Sequence, residues 1–154
     1  MQRKVVITSG FFNPLHIGHI NLIREAKKLG DFLVVIVNND KQVKLKGSIP
    51  FMSEQERIEI IKSLKYADDV ILAVDSFAEG KEVPIPKSLE AAVKKYPGTY
   101  IFAKGGDRFG SEIPEAEVCR IYGIKIVDGL GDKIQSSSDL VKKQIERENK
   151  SGSI

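Results

Sequence analysis

Short apolar runs alternate along the chain with longer segments whose apolar residues recur every three or four positions. The runs cover residues 5–7, 32–37, 70–74, 100–103 and 124–127, and they are rich in β-branched residues. Most of them show no alternation of apolar and polar positions, which is typical of strands covered on both faces in a parallel sheet. The runs are therefore predicted to be five parallel strands.

The segments between these runs have helical spacing. Residues 20–29 carry an apolar stripe that stops at Gly30, a residue type that often ends helices. Ser53 and Glu56 form a capping box at the start of a second helix. Further helices are predicted to begin at Pro86, at about Pro114 and near Ser136.

Strand alternating with helix over five rounds predicts one α/β domain with a central five-stranded parallel sheet. We place this domain at residues 1–145 and a flexible tail at residues 146–154, where charged and small residues offer little to bury. Ligands of such sheets bind beyond the carboxyl ends of the strands, near the reversal of strand order. That rule selects the loops at residues 9–19, 38–47, 104–108 and 129–138.

The composition agrees with one ordinary globular domain. The chain has 154 residues, of which 42% are hydrophobic and 29% are charged, and its formal charge is +3. Its single cysteine, Cys119, cannot form an intrachain disulfide, and the longest apolar run is too short to cross a bilayer. A cytoplasmic protein that binds neither membranes nor nucleic acid is expected.

Both histidines of the chain lie in the loop after the first predicted strand. His16 and His19 are three residues apart, so they project from one face of the first helical turn. Gly18 leaves room for a phosphate near the backbone, and a helix N-terminus favours anions. Two imidazoles there can donate hydrogen bonds to phosphate oxygens, whereas a zinc site needs further ligands, of which only Cys119 remains. A phosphate-binding site is therefore predicted.

Residues 10–19, GFFNPLHIGH, resemble the HxGH signature of the cytidylyltransferase-like nucleotidyltransferases. The resemblance extends from Val5 to about Val141. This family includes glycerol-3-phosphate cytidylyltransferases, heptose-phosphate adenylyltransferases and nicotinamide mononucleotide adenylyltransferases. The resemblance implies a Rossmann-like three-layer sandwich, a Mg²⁺-bound triphosphate, transfer without a covalent enzyme intermediate, and a homodimer.

The resemblance also assigns roles by position. His16, His19 and Lys46 are the predicted catalytic residues, with the histidines at the β- and α-phosphates and Lys46 as a flexible positive charge. The predicted nucleotide contacts are Gly10, Phe11, Phe12, Asn13, Gly18, Lys44, Arg57, Gly105, Asp107, Ser136, Ser137 and Ser138. Without the resemblance, Lys44 and Lys46 are typical of a solvated basic loop and Arg57 of a helix surface. The three serines are typical of a helix N-cap.

Two departures from the family pattern bear on the substrates. Phe11 stands where some members aim a threonine hydroxyl at a phosphate, and the arginine expected before the serine run is absent, with Lys133 as its candidate replacement. The single short domain and the serine run favour CTP as the donor. The segments around Gly105 and Lys46 favour ATP, which is the alternative donor.

The predicted function is transfer of CMP from CTP to a small phosphorylated or phosphonate acceptor, with release of pyrophosphate and with ATP as the alternative donor. A non-catalytic nucleotide-sensing module of the same fold is the alternative from another class, and it would bind a triphosphate without releasing pyrophosphate. A dinucleotide-dependent oxidoreductase is disfavoured, because the first loop lacks the G-x-G-x-x-G pattern.

Overall fold

The five predicted strands form one parallel sheet in the computed structural model, which describes residues 2–80, 82–105, 113–130, 145 and 147. Their spatial order is β3-β2-β1-β4-β5, and every neighbouring pair is parallel. The strands are β1 (Lys4–Gly10), β2 (Phe32–Val37), β3 (Asp69–Leu72), β4 (Thr99–Ala103) and β5 (Lys125–Val127). The predicted α/β fold class with a central five-stranded sheet is confirmed.

Within the described residues, five helices connect these strands. They are α1 (Ile17–Lys27), α2 (Asp40–Leu45), α3 (Glu54–Lys62), α4 (Pro86–Lys95) and α5 (Ala116–Tyr122). The predicted start of α3 is present, since the Ser53 hydroxyl accepts the N–H of Glu56 at 3.2 Å. Helix α4 begins at Pro86 as predicted, because proline suits the first turn, where its missing N–H is not needed.

The core consists of two apolar layers, one on each face of the sheet. One layer joins the sheet to α4 and α5, and it includes Val5, Ile7, Val34, Ile36, Phe102, Leu89, Ala92, Val118 and Cys119. The other joins the sheet to α1 and α3, and it includes Val6, Leu33, Val35, Val37, Ile23, Ala26, Ile58 and Ile61. Since adjacent residues of β1 and β2 enter opposite layers, both faces are covered and the domain is a three-layer sandwich.

Helix α2 was not predicted, because residues 38–47 look like a polar loop. Its start is held by side chains, not by an apolar stripe. The Asn39 side-chain oxygen accepts the N–H of Gln42 at 2.8 Å, and the Asn39 N–H donates to Gln42 Oε1 at 3.0 Å. The Asn39 amide nitrogen also donates to the carbonyl oxygens of Ala73 and Asp75, which anchors the helix to the chain beyond β3.

The order of the strands reverses between β1 and β4. The chain leaves β1 toward β2 on one side, and β4 returns on the other, so the two connections diverge at the carboxyl ends. The Thr8 hydroxyl donates to the Ala103 carbonyl oxygen at 2.8 Å and joins the two strands at this end. The reversal opens a crevice at the place where the first loop enters α1.

Parts of the C-terminal predictions lie outside the described residues. These are most of the helix expected from about Ser136 and nearly all of the tail, so the domain boundary at residue 145 stays a prediction. Ile145 and Arg147, which are described, are helical. No helix in the described part of the chain has the length and apolar character needed to cross a membrane.

The packing of α3 gives a first testable prediction. Ile61 on α3 is fully buried in the apolar layer between α1, α3 and the sheet, whereas Ile121 on α5 is 62% exposed. Ile61→Ala should lower the free energy of unfolding by about 2–5 kcal/mol, because it leaves a cavity in a close-packed layer. Ile121→Ala should change it by less than about 0.5 kcal/mol. Urea unfolding monitored by circular dichroism measures both, and equal losses would contradict the layer assignment.

Candidate functional site

An open cavity of about 630 Å³ lies at the crevice between the carboxyl ends of β1 and β4. Its walls come from the loop after β1, the C-terminal end of α2, and the residues that follow β4. Eight of the predicted site residues line it: Gly10, Phe11, Phe12, Asn13, His16, His19, Lys46 and Gly105. The structure therefore brings together residues from three of the four loops selected in the sequence.

The two histidines form a stacked pair at the start of α1. Their ring centroids are 3.8 Å apart and the rings are inclined by 25°. His16 is the N-cap residue, and its Nδ1 accepts the N–H of Gly18 at 3.1 Å. The Nδ1 of His19 accepts the N–H of His16 at 3.2 Å. The imidazoles thus form the reciprocal capping box that Ser and Glu form in other helices.

This capping arrangement decides which ring nitrogens carry protons. A nitrogen that accepts a hydrogen bond cannot carry a proton, so each neutral ring has its proton on Nε2. Neither Nδ1 is then available to a ligand, and each Nε2–H remains as a donor. Two stacked rings in the cavity wall can therefore offer two N–H donors to neighbouring oxygen atoms of one anion.

Both rings are neutral at physiological pH. Burial lowers the pKa of His19 to about 4, with smaller contributions from the charges of His16 and Lys46. Burial also lowers the pKa of His16. The pair therefore acts in the free protein as two uncharged hydrogen-bond donors.

Phe12 and Gly10 hold the His19 ring in place. Phe12 is 1% exposed and meets His19 edge to face, with ring centroids 5.1 Å apart. Its φ of 50° is in the left-handed region, which costs a residue with a side chain about 1–2 kcal/mol. A Cβ on Gly10 would lie 2.7 Å from the Phe12 ring, so only glycine leaves room for this ring position. Phe12 is a packing support for the histidine pair.

Lys46 lies at the C-cap of α2, and its ammonium is 4.3 Å from the centre of the Phe11 ring. The residue as a whole is exposed, but partial burial of the ammonium against this wall lowers its pKa. Helix α2 occupies most of the predicted loop at residues 38–47, and Lys46 lies in the turn directly after it. Lys44 is exposed in the last turn of α2 and is not among the cavity residues.

Arg57 was predicted to contact the nucleotide, although without the family resemblance it is typical of a helix surface. Its side chain is completely buried and is not part of the cavity wall. The hydrogen bonds of its guanidinium go to other groups of the protein. It donates to the carbonyl oxygens of Phe11 at 2.9 Å and Asn38 at 2.6 Å, and it pairs with Asp40 at 2.7 Å. The position of the side chain therefore does not support the predicted direct contact with a nucleotide.

Gly18 and Asn13 also have local partners. The N–H of Gly18 is used by His16, and Gly18 is not among the cavity residues, so the expected approach of a phosphate to this backbone is not supported. The Asn13 side chain lines the cavity while it donates to the Ile49 carbonyl oxygen and accepts the N–H of Phe51. Asn13 thus ties the first loop to the segment before α3.

A model of one protein family matches residues 7–151 and describes the family as cytidylyltransferase-like. This chain belongs to the cytidylyltransferase-like family. Its resemblance to nucleotidyltransferases in the first loop is thereby confirmed for almost the whole chain.

Individual relatives agree with this family. The bifunctional protein HldE of Pelobacter propionicus is 34% identical over 152 residues, which cover 94% of this chain and 28% of the relative. An FAD synthase of Ferroglobus placidus is 39% identical over 122 residues, which cover 79% of this chain and 72% of the relative. The chain thus spans about a quarter of the HldE sequences, and it spans about half of another FAD synthase.

A solved structure supports the same fold. The lipopolysaccharide core biosynthesis protein of Thermoplasma volcanium GSS1 superposes with a TM-score of 0.62 at 30% identity. The match covers 84% of this chain and 98% of that protein. The Rossmann-like sandwich expected from the resemblance is confirmed.

Several predicted contacts of this family member lie outside the described residues. These are Asp107 and the serine run at Ser136, Ser137 and Ser138. Lys133, the candidate replacement for the missing arginine, also lies outside the described residues. The structure instead adds cavity residues that were not among the predicted contacts: Ser9, Leu22, Val43, Gly47, Ser48, Ala103 and Lys104. Lys104 follows a buried strand and is next to Gly105, a predicted contact. This position in the sequence could have identified Lys104 as a cavity residue.

The described cavity wall does not fit a protein-bound Mg²⁺. It contains histidine, lysine, serine and asparagine side chains but no carboxylate, and Mg²⁺ is usually held by carboxylates and substrate phosphates. The described residues also contain no cluster of three or more His, Cys, Asp or Glu that could hold a metal ion. The described wall is therefore suited to binding phosphate oxygens directly, and Mg²⁺ stays a prediction.

The low pKa of His19 predicts a pH dependence of stability. The unfolded chain binds a proton near pH 6.5, but the folded ring does so only near pH 4. The contribution of His19 is therefore complete above about pH 6.5 and is lost as the pH falls toward 4. From pH 7 to pH 5, the wild type should lose about 1–2 kcal/mol more unfolding free energy than His19→Gln. Equal losses in urea unfolding would contradict a partly buried ring that stays neutral in the folded protein.

Proposed function

We propose that this protein transfers AMP from ATP to a small phosphorylated acceptor and releases pyrophosphate. The observation that carries the proposal is the stacked His16–His19 pair, which offers two Nε2–H donors in a cavity that also holds the Lys46 ammonium. Directed donors and a positive charge stabilise the negative charge that develops when a phosphoryl group is transferred.

The relatives favour ATP over CTP as the donor. FAD contains an AMP unit, so a protein named FAD synthase needs an adenylyl donor, and such a protein is 39% identical to this chain. The narrow preference for CTP from the sequence has no comparable support, beyond the general name of the family. CTP accordingly becomes the alternative donor.

The same comparison suggests an acceptor. FAD consists of AMP joined to flavin mononucleotide, whose phosphate becomes part of the new pyrophosphate link. Flavin mononucleotide is therefore the first acceptor to test, and sugar 1-phosphates, which suit the heptose-phosphate branch, are the second. Both are phosphate monoesters, so the reacting group is the same in either case.

The reaction joins an oxygen of the acceptor phosphate to the α-phosphorus, while the bond between that phosphorus and the bridging oxygen to the β-phosphorus breaks. The acceptor phosphate is already an anion near neutral pH, so no strong general base is required. The Nε2–H groups of His16 and His19 would hold non-bridging oxygens of the transferring and leaving phosphates. The Lys46 ammonium would offset the charge of the departing pyrophosphate. A magnesium ion, if bound with the triphosphate, would neutralise further phosphate charge.

Pyrophosphate release tests the reaction and both specificities. Wild-type protein should release pyrophosphate only when ATP and one phosphate monoester are both present, and CTP should give a much lower rate. Release that requires CTP would overturn the choice of donor. Binding of ATP without release for any acceptor in the panel would favour the nucleotide-sensing alternative, and absence of binding would contradict the proposal altogether.

Two lysines at the end of α2 provide a matched pair of variants. Lys46→Met should lower kcat by about 10²–10³-fold, because it removes a charge that faces the cavity. Lys44→Met, which removes the same charge two residues away at a position that does not line the cavity, should change kcat by less than about twofold. Steady-state pyrophosphate release measures both. Similar effects of the two changes would show that only the general charge of the loop matters.

A further inference from the structure

Arg57 places a buried positive charge between three segments that surround the cavity. Its Nε donates to the Met52 carbonyl oxygen at 3.2 Å, just before α3. Its other donors reach Phe11 at 2.9 Å, Asn38 at 2.6 Å and Asp40 at 2.7 Å. One planar group on α3 is thus bonded to the loop after β1 and to the start of α2.

Each of these two segments carries part of the candidate machinery. The loop after β1 leads from Phe11 into His16 and His19, and α2 leads from Asp40 to Lys46. The ammonium of Lys46 lies over the ring of Phe11, and its charge adds a small part to the lowering of the His19 pKa, which burial mainly causes. The spacing of the two segments therefore determines how the histidines and the lysine face each other.

Stability alone is a weak reason for a charge at this position. A buried ion pair can often be replaced by apolar side chains of similar volume at little cost, because taking charges out of water offsets their attraction. The rigid fork of a guanidinium, however, can bind several oxygens in one plane, which neither an apolar side chain nor a lysine can do. The number and placement of its acceptors indicate a geometric role.

We infer that Arg57 is a positioning residue for nucleotidyl transfer, and that its guanidinium sets the separation between the histidine pair and Lys46. This inference rests on the proposed function. Arg57 acts through the backbone of Phe11 and Asn38 and through the carboxylate of Asp40. The Asn13 bridge to Ile49 and Phe51 holds the same loop two residues beyond Phe11, so loss of Arg57 displaces the loop without detaching it.

Three variants separate this role from general stability. Arg57→Lys keeps the charge but loses the fork, and Asp40→Asn weakens only the arm that reaches α2. Tyr96→Phe is the control, because Tyr96 is a buried residue whose hydroxyl donates to Asp69 at the opposite end of the sheet. The measurements are thermal unfolding, steady-state kinetics with ATP, and the NMR titration of the His19 ring.

Arg57→Lys should lower kcat by about 10²-fold, with a much smaller change in the KM for ATP, since small displacements affect the transition state most. Its His19 ring should titrate above pH 4, closer to the ordinary pKa, because displacement of the loop admits water to the ring and moves the Lys46 charge away. Asp40→Asn should show the same changes to a smaller extent. Tyr96→Phe should lower thermal stability and leave kcat and the His19 titration unchanged.

The inference is overturned if Arg57→Lys and Asp40→Asn keep the wild-type kcat and the wild-type His19 titration. It is equally overturned if Tyr96→Phe reproduces their kinetic loss at the same thermal stability. The titration needs no turnover. If the wild type transfers no nucleotide, the proposed function fails, and a shifted His19 titration in Arg57→Lys still reports whether Arg57 sets the spacing.

Discussion

The reversal of strand order between β1 and β4 is the constraint on which the rest of the site depends. Because the connections on the two sides of this reversal leave the sheet in opposite directions, they diverge at the carboxyl ends of these two strands. Both layers of the core pack below this point, and the cavity opens above it. Apolar packing thus supplies a rigid floor, and the loops at the crevice are left to carry polar chemistry.

Within this crevice, the same atoms stabilise the fold and prepare the chemistry. The Nδ1 atoms of His16 and His19 cap α1, and this use is what leaves their Nε2–H groups as donors. Phe12 has an unfavourable backbone conformation, and in this conformation its ring packs against His19. A helix start that used serine and glutamate would be capped equally well but would offer no such pair of imidazole donors to a ligand.

Much of the fold and part of the site could be predicted from the sequence, because both depend on local patterns. Apolar runs such as residues 32–37 identify buried strands, and the loop that carries both histidines was correctly placed at the crevice. Helix α2 and the burial of Arg57 could not be predicted, since they depend on partners far along the chain. The Asn39 side chain donates to the carbonyl oxygens of Ala73 and Asp75, and Arg57 donates to that of Phe11. The positions of both side chains are explained only by these distant partners.

The central claim is that His16 and His19 bind phosphates through Nε2–H. NMR of the imidazole nitrogens tests it directly, with and without an ATP analogue that carries a methylene bridge between the α- and β-phosphorus atoms. The account predicts that both neutral rings are protonated on Nε2 and that both Nε2 signals shift when the analogue saturates the protein. Protonation on Nδ1, or unchanged Nε2 signals at saturation, would contradict it.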